Sequence, residues 1–176
     1  MSAESIGIAL SAVTLVVVGA ASVAAIIQLR HLRTSNQLNA LLEIMNQWNL
    51  PTVQAALAEI GTIPGKMNDP GYVEALKTPG SMDRASHPEF LALDLWEQIG
   101  TYCKYRLVDE SILLDITSAQ VSNAWKNAEP AIMLVRARTG PATFENFEYL
   151  AVRAKLWDRN HPHGAYPSRV PRMPDS

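Results

Sequence analysis

From Ile6 to Leu29 the chain runs for 24 residues without a charge, with Gln28 the only amide among them. No other feature limits the fold so strongly. A hydrocarbon layer of about 30 Å needs about 20 helical residues at ~1.5 Å each, so this run is long enough to span one with some tilt. A cleaved secretory leader would open with a positive segment, whereas MSAES carries only Glu4. A single-pass anchor over 6–29 is expected, preceded by a short N-terminal end at 1–5.

Arg30, His31 and Arg33 follow the run directly and form the expected membrane-interface group. With no Lys or Arg on the other side, the positive-inside rule places the N-terminus outside and everything after Arg30 in the cytoplasm, at the inner membrane. Gly7 with Ser11 and Ala20 with Ala24 are small residues four apart. Such pairs let helix backbones approach closely in lipid, which makes these four the expected packing positions within the membrane.

The helical pattern continues into a stem over 30–61. Leu38, Leu41, Leu42, Met45 and Trp48 recur at three and four, while Glu43 is the only charge between Thr34 and Asn49. Pro51 opens a short amphipathic helix that Gly61 ends. Residues 62–88 hold Pro64, Pro70, Pro79 and Pro88 with Gly65, Gly71 and Gly80. They read as a Pro/Gly-rich loop with one turn of helix at most, near Tyr72 to Lys77.

A helical bundle is expected over 89–157. Phe90, Leu93, Trp96, Gly100, Cys103 and Leu107 form one seam, Val121, Trp125, Ala128, Ile132 and Val135 a second, and Phe144, Phe147, Leu150, Ala154 and Trp157 a third. Steps of three and four keep one face of each helix apolar, so the faces can be buried together. Asp109 reads as the N-cap of a short helix reaching Ile116, and Pro130 as a kink in the helix that follows. The fold class is all-α. Beyond Asp158 the four prolines of the last residues predict an extended, polyproline-like tail over 158–176, where Arg169 and Arg172 share one face.

Residues that could carry chemistry are few. Charged residues are 18% of the chain and the net charge is −2, which argues against a nucleic-acid binder. One cysteine excludes an internal disulfide and a multi-cysteine metal site. Gly61 to Met67 imitates a phosphate loop but lacks the glycine spacing and the terminal hydroxyl. Cys103 falls on an apolar seam and reads as a buried thiol. His161 and His163 lack further metal ligands nearby in sequence. Asp94 with Glu97, and Glu145 with Glu148, are carboxylate pairs three apart on one helix face, and Glu145 and Glu148 read as solvated or bridged to Arg153 or Lys155. Arg136, Arg138, Arg153, Lys155 and Arg159 read as ordinary surface cations. No catalytic residue, metal or cofactor is expected, and no small-molecule substrate is evident.

Three stretches have a recognisable pattern. LWEQIG carries an aromatic-Glu-x-Ile-Gly motif from Trp96 to Gly100, and Arg106 to Glu110 carry a basic-Leu-Val-Asp-Glu turn. Trp125 and Pro130 follow, and Asn146 to Leu150 read Asn-Phe-Glu-Tyr-Leu. Together with the anchor and stem, these resemble a bacterial family of small membrane-anchored helical proteins known as a domain of unknown function. The resemblance spans roughly residues 5 to 157 and implies the same anchored all-α layout, with no activity or catalytic residues attached.

These features favour a non-catalytic accessory or scaffold subunit docked on a larger membrane complex, respiratory or photosynthetic for instance. Its partners would be membrane lipid and other membrane-protein subunits, with Trp48, Tyr72, Tyr166, Arg169 and Arg172 as expected contacts. A membrane-tethered regulatory or defence protein with a soluble partner is the alternative, ahead of a membrane enzyme.

Overall fold

A computed structural model describes residues 3–81 and 83–173, with side chains throughout except at 3–6, 8, 9 and 12. Met1 and Ser2 of the expected N-terminal end, and the last three residues of the expected tail, lie outside the described residues. Among the described residues all regular structure is helical: α1 (Ala3–Trp48), α2 (Pro51–Ile60), α3 (Ile63–Lys66), α4 (Pro70–Lys77), α5 (Glu89–Lys104), α6 (Glu110–Thr139) and α7 (Glu145–Asn160). The all-α class is as the sequence predicts.

The chain divides into two compact units, Met1–Asn39 and Ala40–Ser176. The first is the N-terminal part of α1, which among the described residues is the one helix long and apolar enough to cross a membrane. Its large side chains face outward: Leu15 is 75% exposed and Val16 70%. The hydroxyls of Ser11, Thr14 and Ser22 return to the carbonyl oxygens of Gly7, Leu10 and Val18 at 2.8–2.9 Å, so these polar groups are satisfied within the helix.

The second unit is a helical head centred on aromatic rings. Trp96 stacks on Phe147 with centroids 6.0 Å apart, and Trp125 and Trp48 meet this pair edge-on, at 5.1 Å to Phe147 and 4.9 Å to Trp96 respectively. Offset and edge-to-face geometry suits the ring quadrupoles and fixes the depth at which α5, α6 and α7 pack. Gly100 lets α5 and α7 approach, since a Cβ there would lie 2.0 Å from the Asn146 carbonyl oxygen. Across the same contact, the Glu97 carboxylate of α5 accepts from the backbone N–H groups of Asn146 (3.3 Å) and Phe147 (2.8 Å). Those are amides in the first turn of α7, which Phe144 preceding it cannot cap.

Several expectations are corrected here. The stretch 62–88 is not a plain loop, because α3 and α4 occupy much of it and bury Ile63, Tyr72 and Leu76. Pro64 and Pro70 stand in the first turns of these helices, where proline removes no helical hydrogen bond, and Asp69 caps α4 by accepting from Gly71 N–H at 2.9 Å. The short helix expected after Asp109 is instead the start of α6, which runs through Pro130 to Thr139 without a break. The first seam ends early. Arg106 adopts φ 57°, with Leu107 N–H on Tyr102 O and Arg106 N–H on Cys103 O. This Schellman turn closes α5, leaving Leu107 exposed and Val108 buried in its place. On the stem, Leu38 and Leu42 are exposed while Leu41 and Ile44 are buried.

The tail is turned rather than extended. α7 continues to Asn160, past the expected limit of 157. Beyond it the Tyr166 hydroxyl donates to Pro171 O (2.9 Å), Arg172 donates to His163 O (2.7 Å), and the Arg172 guanidinium lies 5.0 Å from the Tyr166 ring centre.

Candidate functional site

The head contains a cleft of about 490 Å³ between α2, α5, α6 and the end of α1, within the usual size range for a small-molecule pocket. Trp48, Leu57, Ile60 and Trp96 give it apolar walls, and Gln54, Gln120, Asn123 and Asn127 give it amides. Gln54 is committed, donating to Trp48 O at 2.7 Å. The three α6 amides follow from sequence spacing: steps of three and four put Gln120, Asn123 and Asn127 on one helix face. No Lys, Arg, Asp or Glu lines the cleft. Trp96 is 1% exposed, and its indole N–H has no acceptor among the described residues. A buried N–H without an acceptor forfeits hydrogen bonding to water and so requires a partner.

A second polar constellation surrounds Glu89, at the start of α5 and 0% exposed. Its carboxylate accepts from the Tyr72 hydroxyl (3.0 Å) and from Lys66 Nζ (3.1 Å), with His87 Nδ1 at 3.4 Å. Lys66 also bridges to Glu59 at 3.0 Å. Partial burial pulls the Lys66 ammonium down, but hydrogen bonds and charge from Glu59 and Glu89 outweigh it and hold the group above its ordinary value. Burial, followed by the neighbouring Glu89 charge, pushes the Tyr72 phenol far above its usual range. The site at the first turn of α5 also places a negative group at the positive end of the helix dipole. The four residues tie α3, α4 and α5 together.

A family model described as a domain of unknown function, DUF4760, matches residues 15–154. The chain belongs to the DUF4760 family. No curated protein and no solved structure matches it. The range matched by DUF4760 takes in most of the apolar helix, the whole cleft and the whole Glu89 cluster, and leaves the tail outside.

Against this geometry the residues expected from sequence fall into three groups. Arg30, His31, Arg33, Ala20 and Ala24 are exposed on α1, and nothing stands within 4 Å of a Cβ placed on Gly7. Trp48 is half-buried in the cleft wall, and Tyr72 is interior rather than on a contact surface. Tyr166, Arg169 and Arg172 are exposed, with Tyr166 and Arg172 engaged with each other.

The other residues weighed for chemistry are tied into the scaffold. Arg84 holds Asp94 through two hydrogen bonds of 2.8 Å, and Lys104 meets Glu145 at 3.1 Å. Arg136 meets Glu148 at 2.7 Å, and Arg153 meets Glu110 at 2.6 Å, so the bridges expected from Glu148 to Arg153 or Lys155 are not the ones formed. Burial pushes the Cys103 thiol up to about 12, far from a reactive thiolate. His161 stacks on Trp157 at 4.0 Å, and no group of three metal-ligating side chains occurs among the described residues.

Neither Glu89 nor the cleft was singled out from the sequence. A Glu after Pro88 looks like any exposed first-turn acid, and its burial depends on α3 and α4. The 120/123/127 amide stripe was legible as an uncharged helix face.

Proposed function

We propose that this DUF4760 protein is a single-pass membrane-anchored, non-catalytic accessory subunit whose helical head docks on a larger membrane-protein complex. The observation that carries this reading is the first unit, where apolar side chains from Val13 to Leu29 stand exposed along a helix long enough to span a bilayer. Such a surface is costly in water and stable in lipid. Arg30, His31 and Arg33 at its end support an outside N-terminus and a head on the cytoplasmic side of the inner membrane. The binding of Asp94, Glu97, Glu145 and Glu148 to cations or helix ends supports a scaffold over a catalyst.

The test is the mass of the native assembly. A C-terminally tagged chain, extracted in mild detergent, is expected to co-purify in fixed ratio with other membrane subunits. A monodisperse monomer or homo-oligomer would overturn the accessory reading.

A further inference from the structure

Within the first unit, positions 14, 17, 21, 24, 28, 31, 35 and 38 follow one another by threes and fours in strict alternation. That is the seam of a heptad repeat, and all of its side chains are exposed. The seam passes the end of the apolar run without a break. Before Leu29 it carries small residues, Ala21 and Ala24 among them, which let helices approach closely in lipid. Beyond Arg30 it ends on Leu38, a leucine 54% exposed on a stretch where the sequence has turned polar.

Three further observations bear on what covers this seam. The Gln28 amide forms no hydrogen bond among the described residues, whereas the hydroxyls of Ser11, Thr14, Ser22 and Thr34 all return to carbonyls of their own helix. A primary amide carries both donors and an acceptor, so it is complementary to a copy of itself. Gln28, His31, Leu32 and Ser35 line a hollow on the helix surface. Their spacing of i, i+3, i+4 and i+7 is that of the four residues that receive a side chain in knobs-into-holes packing. At ~100° per residue, Arg30 and Arg33 stand about 140–160° round the helix from Gln28. No Lys, Arg, Asp or Glu falls on the seam or beside it between 14 and 38, so two copies meet there without like charges.

Because the seam lies partly in the apolar run and partly beyond it, its cover must be a helix that follows the same course through both. We infer that this cover is a second copy of the chain: α1 pairs in parallel and in register with α1 of another copy over 14–38, with the Gln28 amides of the two copies bonded to each other. Both copies insert with Arg30 and Arg33 on the same side, which makes the pair parallel and brings each seam residue to its own counterpart. The inference rests on α1 spanning the membrane but not on the accessory reading, because the pair could stand alone or within a larger complex.

The test is cysteine scanning of the full chain in native membranes, one substitution at a time at 31 and at each position from 34 to 38, with copper phenanthroline as oxidant. The unaltered chain, whose Cys103 is buried, is the control. Disulfide-linked product of twice the chain mass is expected to peak at 31, 35 and 38, several-fold above Asn36→Cys and Gln37→Cys. In the Ser35→Cys chain, adding Leu38→Asp sets like charges face to face and should cut the linked fraction at least fivefold. Asn36→Asp, off the seam, should leave it unchanged. Gln28→Leu should lower it about threefold, as loss of one interhelical hydrogen bond in lipid does. Carbonate extraction of the same membranes keeps the two readings apart. Membrane-retained chain that crosslinks evenly along 34–38, or not at all, overturns the pairing and leaves the anchor standing. Chain released by carbonate overturns both. Linked product of another mass would mean that a different protein covers the seam, and overturns the pairing as well.

Discussion

Leu, Val and Ala recur in both units of this chain, yet they face outward from Val13 to Leu29 and mostly inward along α5, α6 and α7. The difference lies in what separates them. In α5 and α6 the buried positions Phe90, Leu93 and Trp96, and Val121, Trp125 and Ala128, recur at three and four, while polar side chains such as Glu97, Gln98, Asn123 and Lys126 hold other faces, so one face finds a protein neighbour and the other finds water. In the first half of α1 the apolar residues go all round, so no single face could bury them against one protein neighbour. Hydrophobicity alone does not decide burial; its angular distribution does.

Two substitutions separate the regions most sharply. Gly100→Ala would drive a Cβ to 2.0 Å from the Asn146 carbonyl oxygen, a backbone atom that cannot swing aside. The overpacking should cost about 3 kcal/mol or more and force α5 and α7 apart. A urea titration of the detergent-solubilised chain measures it, and an unchanged midpoint would mean the close approach is not what joins the two helices. Val16→Lys is the counterpart in the first unit. A lysine at the centre of a spanning helix costs about 3 kcal/mol of insertion. Carbonate extraction should show less of this variant retained in membranes, while the urea midpoint of the head stays at the wild-type value. A head destabilised by Val16→Lys would break the separation between the two regions.

The contrast also explains what the sequence made legible. The three seams of the bundle were readable because steps of three and four report a helix face directly, and Trp96, Trp125 and Phe147 lie where that spacing puts them. Local turn chemistry hid the end of the first seam: an arginine takes the left-handed position usually held by glycine, and nothing at Arg106 announces it. The two short helices in 62–88 were hidden by their prolines and glycines, read as breakers although Pro64 and Pro70 sit in helical first turns. Glu89 and the orphan indole of Trp96 are tertiary facts. A carboxylate becomes buried here only when Lys66 and Tyr72 arrive from α3 and α4, and no spacing within one helix encodes that.

Glu89→Gln tests how much of the head depends on this convergence. The amide can still accept from Tyr72 but loses its charge against Lys66, which keeps only Glu59. A loss of about 2 kcal/mol at neutral pH is expected, below the cost of leaving a fully buried charge alone because Lys66 reaches solvent. Lys66→Met should cost less in the Glu89→Gln background than in the wild type, a coupling that a double-mutant cycle of urea midpoints reads out. Additive effects would mean that the two charges do not interact across the α3–α5 contact.

The smallest expected effect belongs to the cap of α6, and its value lies in its sign with pH. The Asp109 carboxylate accepts from the Ser111 hydroxyl at 2.6 Å and from Ser111 N–H at 2.9 Å, and these bonds hold it below its ordinary value. A carboxyl depressed in the folded state stabilises that state fully above its unfolded pKa of about 3.9, and this contribution fades as pH falls through the lower folded value. Asp109→Ala should therefore cost about 1 kcal/mol at pH 7, and the gap between variant and wild type should shrink below about pH 4. Taking the difference between the two curves cancels Glu59 and Asp83, which are depressed by their own hydrogen bonds and titrate equally in both proteins. Asp109→Asn keeps an acceptor for Ser111 without the charge, so its stability relative to Asp109→Ala should not change with pH. A gap between wild type and Asp109→Ala that stays constant down to pH 3 would show that the Asp109 charge contributes nothing and that the cap acts through geometry alone.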